Sequence, residues 1–373
     1  MTNSQNTVII DLRALVHNFR QVKGLLDKRA KIMGIVKSDA YGHGLLPVSE
    51  TLQGEGIDAL GVSYIHEALR LRRGGIRVPI VVLCGIKGAD EAREAADHDL
   101  TPVIYDLESA GILHREGERV GKRVKVHIKV DTGMGRLGVL DKDLPSFLER
   151  LCRLRTLRTE ALMSHLSSAD EPERDFTLHQ IRRFKEAVEV GRAMGFDLPL
   201  NNLANSAGIM SYPDSHFDMV RPGIMLYGGL PSPDFSTRVE LRPVMSFKGY
   251  VLQVRDVPDQ TPIGYSRAYR TKGQRKIAIL SAGYGDGLPR GMSNRGQVLI
   301  GEKRVNIIGN VCMNMVMCDI TGDDQIGSQS EAVFLGSQGN ETVTGDQMAK
   351  WARTISYEIF CSIGQRNARE YVR

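Results

Sequence analysis

The sequence predicts an α/β protein in two parts, an N-terminal (β/α)8 barrel of the TIM type followed by a smaller, mostly β domain. Three observations predict this. Up to Leu230, short β-branched runs alternate with amphipathic charged stretches. Past Leu230 the pattern changes to polar–apolar alternation punctuated by turn residues. The length, 373 residues, also exceeds what one hydrophobic core comfortably serves.

Eight runs read as barrel strands: 31–37, 58–63, 78–84, 100–105, 124–130, 160–165, 198–204 and 217–220. Between them lie stretches of helical character, such as 67–73 and 177–194. In the second, Leu178, Ile181, Phe184 and Val188 recur at helical spacing and are expected on the core face. An open doubly wound sheet is the rival, but eight alternating pairs favour closure. The break is Leu230-Pro231-Ser232-Pro233-Asp234, which sets expected domains at 1–235 and 236–373. Runs 244–254, 276–280, 297–300, 305–308 and 333–335 build the second domain, and 347–360 reads as one helix within it.

Composition narrows the class. Apolar content of 42% and charged content of 25% belong to an ordinary globular protein. The 49 basic and 44 acidic residues leave a scattered +5, so neither nucleic acid nor membrane is an expected partner. The cysteines (Cys84, Cys152, Cys312, Cys318, Cys361) are odd in number and irregularly spaced, which fits free thiols in a reducing cytoplasm and no metal site. Residues 1–7 lack a basic region followed by an apolar core, and no apolar run reaches spanning length; a cytoplasmic location is expected.

The segment Ile35-Val36-Lys37-Ser38-Asp39-Ala40-Tyr41-Gly42-His43-Gly44 carries the most chemical information. A lysine at a buried strand end sits where desolvation lowers its pKa, as Schiff-base and proton-abstracting amines require. The bland alternative is a lysine snorkelling out of the strand. Partners on the barrel register argue against it. His165 ends the sixth run, Asn205 and Ser206 follow the seventh, and Arg221-Pro222-Gly223-Ile224 follows the eighth. All lie at C-terminal strand ends, where barrel active sites form and where the last two loops often take phosphate. Lys129 and Arg136 bracket a glycine-containing turn after the fifth run. Arg136 suits either a substrate carboxylate or a structural pair with Asp131, and the sequence leaves both open. Taken singly, Tyr265 reads as a sheet-surface tyrosine, His165 as a core histidine and Tyr357 as a helix-face aromatic.

Five segments in order resemble the alanine racemases, enzymes of fold type III that use pyridoxal 5′-phosphate. They are Val36 to Gly44, Lys129-Val130-Asp131-Thr132-Gly133-Met134-Gly135-Arg136-Leu137-Gly138, Arg221 to Gly228, Gly264-Tyr265 with Gly283 to Arg290, and Gly309-Asn310-Val311-Cys312-Met313. The resemblance spans nearly the whole chain. It implies racemisation of L- and D-alanine by two bases, with D-alanine supplied to peptidoglycan. Lys37 would bind the cofactor covalently and act as one base; Tyr265, from the other subunit of a homodimer, would be the second. Arg221 would face the pyridine nitrogen, with His165 between it and Tyr265. Tyr41, Asn205, Ser206, Gly223, Ile224 and Tyr357 would complete the cofactor site. Arg136 and the second subunit's Met313 would meet the amino-acid substrate's carboxylate. Lys129 matches a lysine that is often carbamylated, and Tyr284 an entrance residue.

These roles agree with elementary chemistry. Racemisation takes a proton from one face of carbon and returns one to the other, which calls for two bases on opposite sides. Cationic neighbours would lower a tyrosine pKa that is normally near 10. A guanidinium keeps its proton, so Arg221 leaves the ring nitrogen unprotonated and limits transamination. Rivals are a racemase of serine or larger amino acids, a decarboxylase or aldolase on the same barrel, and a non-catalytic cofactor-binding protein. Arg221 argues against the decarboxylase, the lack of a metal cluster against the aldolase, and the joint presence of Lys37 and Tyr265 against the last. The chain departs from the family at Asp39, expected to add negative charge near the cofactor. It departs also at Asn314-Met315, where an acid is lost, and at Arg366-Asn367-Ala368-Arg369, expected to alter only a turn.

Overall fold

A computed structural model describes residues 6–373; most of the opening segment read above for a leader, residues 1–5, lies outside them. The described chain begins with β1 (Thr7–Asp11) and a helix, Leu12–Gly24. The Asp11 carboxylate caps that helix by accepting from the N–H groups of Arg13 and Ala14 at 2.9 and 3.3 Å. Then come β2 (Lys31–Ile35), β3 (Ala59–Val62), β4 (Ile80–Val82), β5 (Thr101–Ile104), β6 (Val124–Asp131), β7 (Val139–Leu140), β8 (Leu157–Met163) and β9 (Met219–Val220).

Strands β2 to β6 pair in parallel order, and β6 continues to β8. Single parallel bridges from Met163 to Asn202 and from Asn202 to Met219 supply a seventh stave. β9 then returns to β2, closing a barrel of eight. The seventh run, expected over 198–204, pairs only at Asn202. Its neighbour Asn201 explains why: its carboxamide accepts from Leu162 N–H at 3.0 Å and donates to Leu198 C=O at 2.8 Å. A side chain there does what ladder backbone does elsewhere. Outside the barrel, Asp175–Ala193 packs Ile181, Phe184 and Val188 inward as expected. Leu178, expected with them, is exposed. Gln180 is buried instead, bonded to Ser167 N–H at 2.9 Å and to His165 C=O at 3.1 Å, so a hydrogen-bonding demand displaces the apolar pattern.

The second domain contains β10 (Met245–Val257), β11 (Pro262–Ile263), β12 (Tyr269–Arg270), β13 (Arg275–Leu280), β14 (Gln297–Ile300), β15 (Lys303–Ile308), β16 (Val316–Asp319), β17 (Glu331–Gln338) and β18 (Glu341–Val343). β10, β13, β16, β15, β14 and β17 pair antiparallel in a closed ring of six. The last strand, β19 (Arg369–Val372), pairs with β1, and β1 pairs with β10. Both ends of the described chain therefore join the second sheet.

The single helix expected over 347–360 is two, Gly345–Ala352 and Ser356–Arg366. Arg353 breaks them with left-handed dihedrals (φ 61°, ψ 49°). That turn sends the second helix to the barrel mouth. The C-terminal departure also does more than alter a turn. Asn367 donates to Ile363 C=O and Asp286 C=O, both at 2.8 Å, and Arg369 opens β19. The second helix crosses the loop after β2 at glycines: a Cβ on Gly364 would collide with the Gly42 carbonyl, and one on Gly42 (φ +83°) with the Phe360 carbonyl.

Gly364→Ala should therefore cost about 1–3 kcal/mol in urea unfolding. Gly54→Ala, where a Cβ meets nothing within 4 Å, should not lower the midpoint and serves as the control.

Candidate active site

The C-terminal ends of the barrel strands open into a cavity of about 580 Å³, within the usual range for small-molecule sites. Lys37 stands just past the end of β2 and lines it. The next four residues, Ser38, Asp39, Ala40 and Tyr41, have φ of 55°, 56°, 54° and 55°. A left-handed turn of non-glycine residues costs about 1–2 kcal/mol per residue, so the surroundings must hold it. Backbone bonds from Gly42 N–H to Ser38 C=O (3.1 Å) and from Gly44 N–H to Asp39 C=O (2.9 Å) close it. The Glu67 carboxylate accepts from Ser38 N–H at 2.6 Å, and the Asp39 carboxylate from Leu45 N–H at 2.9 Å. Arg369 donates to Asp39 and, at 2.9 Å, to Gly42 C=O; Arg70 lies 3.8 Å from Asp39. Asp39 thus spends its charge on two arginines and does not line the cavity, contrary to the expectation of an acid beside the cofactor.

Tyr41 ends the turn in the wall of the cavity, its ring 4.8 Å from Tyr227 and 5.7 Å from Tyr357. Tyr227 donates to Ile35 C=O at 2.8 Å, which ties this aromatic stack to the end of β2. A Cβ at Gly223 would stand 2.6 Å from the Tyr41 hydroxyl, so only glycine leaves that hydroxyl room. Ser206 accepts from the N–H groups of Gly223 and Met225 at 3.0 and 3.4 Å. Asn205 caps the short helix Ser206–Ser211 by accepting from Gly208 N–H at 3.0 Å. Asn205, Ser206, Gly223, Ile224 and Tyr357 all line the cavity, and their hydroxyls and backbone groups suit a phosphate.

Arg221 is buried and pinned. Its guanidinium donates to the Asn202 carboxamide, to Ser164 C=O, to Leu203 C=O at 3.1 Å and to His165 Nδ1 at 3.3 Å. A guanidinium only donates, so His165 Nδ1 is an acceptor and its proton is on Nε2. Burial, then Lys129, Arg221, Arg136 and Lys37, keep His165 neutral by lowering its pKa well below the usual value. Burial and Arg136 push Arg221 itself down to about 9, still charged at neutral pH.

Lys129 projects from β6 into the same cavity. Burial first, then Arg221 and Arg136, drive its pKa well below that of a free lysine. Of the two alternatives left open at Arg136, the structural pair with Asp131 is not formed. The Asp131 carboxylate is taken up by backbone, accepting from Gly133, Met134, Gly135 and Arg136 N–H groups at 2.8 to 3.2 Å. Among the described residues Arg136 forms no ion pair with it, and its side chain lines the cavity. Lys37, Lys129, Arg136 and Arg221 thus share a lining that holds no carboxylate.

Tyr265 and Met313 are not in this cavity. They are 68% and 58% exposed, on loops of the second domain, and Tyr284 and Met315 are exposed as well. Asn314 donates to Asp286 at 3.2 Å. Sequence reasoning missed Tyr64, Cys84, Leu137, Met163 and Cys361, which also line the site. Tyr64 and Cys84 follow the second and third barrel strands, so the strand-end rule applied to every loop would have found them.

The alanine racemase N-terminal domain family model matches residues 10–231, and the alanine racemase C-terminal domain model matches 244–371. The alanine racemase of Syntrophobacter fumaroxidans is 43% identical over 98% of this chain and 96% of its own length. The crystal structure of alanine racemase from Streptomyces lavendulae superposes with a TM-score of 0.95 at 31% identity, covering 100% of this chain and 98% of that one. A Bartonella henselae alanine racemase with covalently bound pyridoxal phosphate superposes at 0.85 and 27% identity over 98% of this chain and 99% of that one.

Burial and Arg136 lower the Lys37 pKa. In the protein without added ligand, Lys37 should therefore react with an amine reagent at lower pH than exposed lysines. Peptide mass spectrometry after labelling between about pH 7 and 10 reads this, and uniform labelling of all lysines would count against it.

Proposed function

The chain belongs to the alanine racemase family, and from that premise we propose that it interconverts L- and D-alanine with pyridoxal 5′-phosphate, Lys37 and Tyr265 serving as its two bases. It is a racemase, an isomerase. The observation that carries the reading is the cavity of four basic side chains with no carboxylate among the described residues that line it, matched to a ligand that brings a phosphate and a substrate that brings a carboxylate.

When bound, the cofactor supplies an electron-withdrawing system that makes the substrate's α-hydrogen acidic. The residues present fit it: Gly223, Ser206 and Tyr41 line one cavity, and the missing side chain at Gly223 gives the Tyr41 hydroxyl its room there. Lys37 would hold the cofactor covalently. Tyr41, Ser206, Gly223, Ile224 and Tyr357 would take its phosphate, with Asn205 fixing the loop. Arg221, held by its bonds to Asn202, Ser164, Leu203 and His165, would present a permanent donor to the ring nitrogen and so keep that nitrogen unprotonated. Arg136 would pair the substrate carboxylate. Lys37 then moves a proton at one face of the substrate carbon and Tyr265 at the other.

The exposure of Tyr265 and Met313 supports a homodimer in which each copy completes the other's site. In that assembly the barrel, 1–235, is the cofactor domain, and 236–373 delivers Tyr265 and Met313 across the interface. Lys129 lies among cations with a lowered pKa, which favours carbamylation. Its neutral amine attacks CO2, an N–C bond forms as one C=O π bond of CO2 breaks onto oxygen, a proton leaves the nitrogen to solvent, and a neutral side chain becomes an anionic carbamate beside Arg136. D-alanine for peptidoglycan is the physiological product we assign, made in the cytoplasm; no helix among the described residues is long and apolar enough to cross a membrane.

Lys37→Ala should abolish covalent uptake of pyridoxal phosphate, and a borohydride-fixed label on another lysine would reject its role. Tyr265→Phe should slow L-to-D turnover by about 10²–10⁴-fold. Mixing these two inactive variants should restore about a quarter of wild-type activity, because half the molecules become heterodimers with one intact site each. No recovery after verified subunit exchange would reject the shared site. A screen of L-amino acids for racemisation fixes the substrate; preference for serine or a larger side chain over alanine would overturn the substrate assignment.

A further inference from the structure

Glu67 is a buried acid that the reaction scheme does not use. It lies in the first turn of the helix Ile65–Arg73, and its Oε2 accepts from the N–H groups of Ser63 and Tyr64 at 2.8 and 3.2 Å. Capping a helix asks for no more than that. The other oxygen leaves the helix altogether and accepts from Ser38 N–H at 2.6 Å. Ser38 is the first residue of the strained left-handed turn and directly follows Lys37. Ser38, Ser63 and Tyr64 all line the cavity. One carboxylate thus fastens two loops of the site to each other through three backbone donors.

We propose that Glu67 is a positioning residue for the reaction. Its carboxylate fixes where Lys37 leaves the barrel, and it sets a buried negative charge one residue from that lysine. The inference rests on the reading of Lys37 as the cofactor-bearing amine. A carboxylate is the side chain this place requires. Three N–H donors converge on it, and an amide would face them with one acceptor oxygen and two donors of its own.

The charge matters because of what else faces Lys37. Arg136 comes from the loop after β6, Lys129 from β6, His165 from beyond β8, Cys84 from beyond β4 and Cys361 from the helix Ser356–Arg366. Burial and Arg136 disfavour the protonated amine; the thiols and Glu67 favour it. Removing the charge of Glu67 while keeping its shape therefore makes Lys37 lose its proton at lower pH. Shortening the side chain while keeping the charge instead disturbs the position of Lys37.

The test follows covalent uptake of added pyridoxal phosphate by cofactor-free full-length protein across pH, by absorbance, with borohydride fixation and peptide mapping. In wild type the label should map to Lys37. In Glu67→Gln the onset of uptake should move to lower pH, with a rate at high pH about tenfold lower. In Glu67→Asp the onset should stay and the rate should fall by a similar factor. A slower rate in Glu67→Gln with an unmoved onset would reduce Glu67 to a helix cap and overturn the proposal, as would wild-type behaviour in both variants. Should Glu67→Gln not fold, Glu67→Asp decides: an unchanged rate overturns it. A wild-type label on another lysine removes the Lys37 reading and this inference with it. A label on Lys37 with unaffected variants removes the inference alone.

Discussion

Four basic side chains meet in one cavity without an acidic partner in its lining, and the surrounding structure holds them there against their mutual repulsion. Each is handled differently. Arg221 is fixed by acceptors on two barrel segments, Ser164 and His165 past β8 and Asn202 and Leu203 on the seventh stave, so it stays charged although buried. Lys129 and Lys37 respond through lowered pKa values, and a neutral amine is what covalent chemistry and carbamylation both need. Arg136 rides on a loop whose shape is set by the four N–H bonds of Asp131, which leaves its guanidinium unpaired with that acid. The result is a site that favours anionic ligands before any ligand arrives.

The second constraint is the left-handed turn after Lys37. Its cost is offset by carboxylates on either side, Glu67 from the barrel and Asp39 from the turn itself, and by Arg369 from the last strand. Because β19 pairs with β1 and the helix Ser356–Arg366 crosses the turn at Gly42 and Gly364, the C-terminal segment is built into the geometry of the site. The second domain does not only present Tyr265 and Met313 at its surface. It also braces Lys37 within its own chain.

Local signals made much of this legible. The β-branched runs gave the register of the barrel, and that register put Lys37, His165, Ser206 and Arg221 on one rim without any contact being known. Where reasoning from pattern went astray, a polar side chain had replaced an apolar or backbone partner. Gln180 took the buried place expected for Leu178, Asn201 stood in for ladder bonds of the seventh stave, and Arg353 broke a helix whose residues otherwise favour one.

The sequence by itself determined the sequence of strands and helices, the change of texture after Leu230, and the identity of the amine, guanidinium and hydroxyls at the strand ends. Periodicity and strand position are properties of neighbours in the chain, so they can be read there. Only the tertiary structure decided where charges point. Asp39 turns from the cavity because Arg369, 330 residues away, receives it, and Glu67 reaches Ser38 across 29 residues. Such pairings depend on which segments folding brings within hydrogen-bond reach, and no local pattern encodes a distance through space.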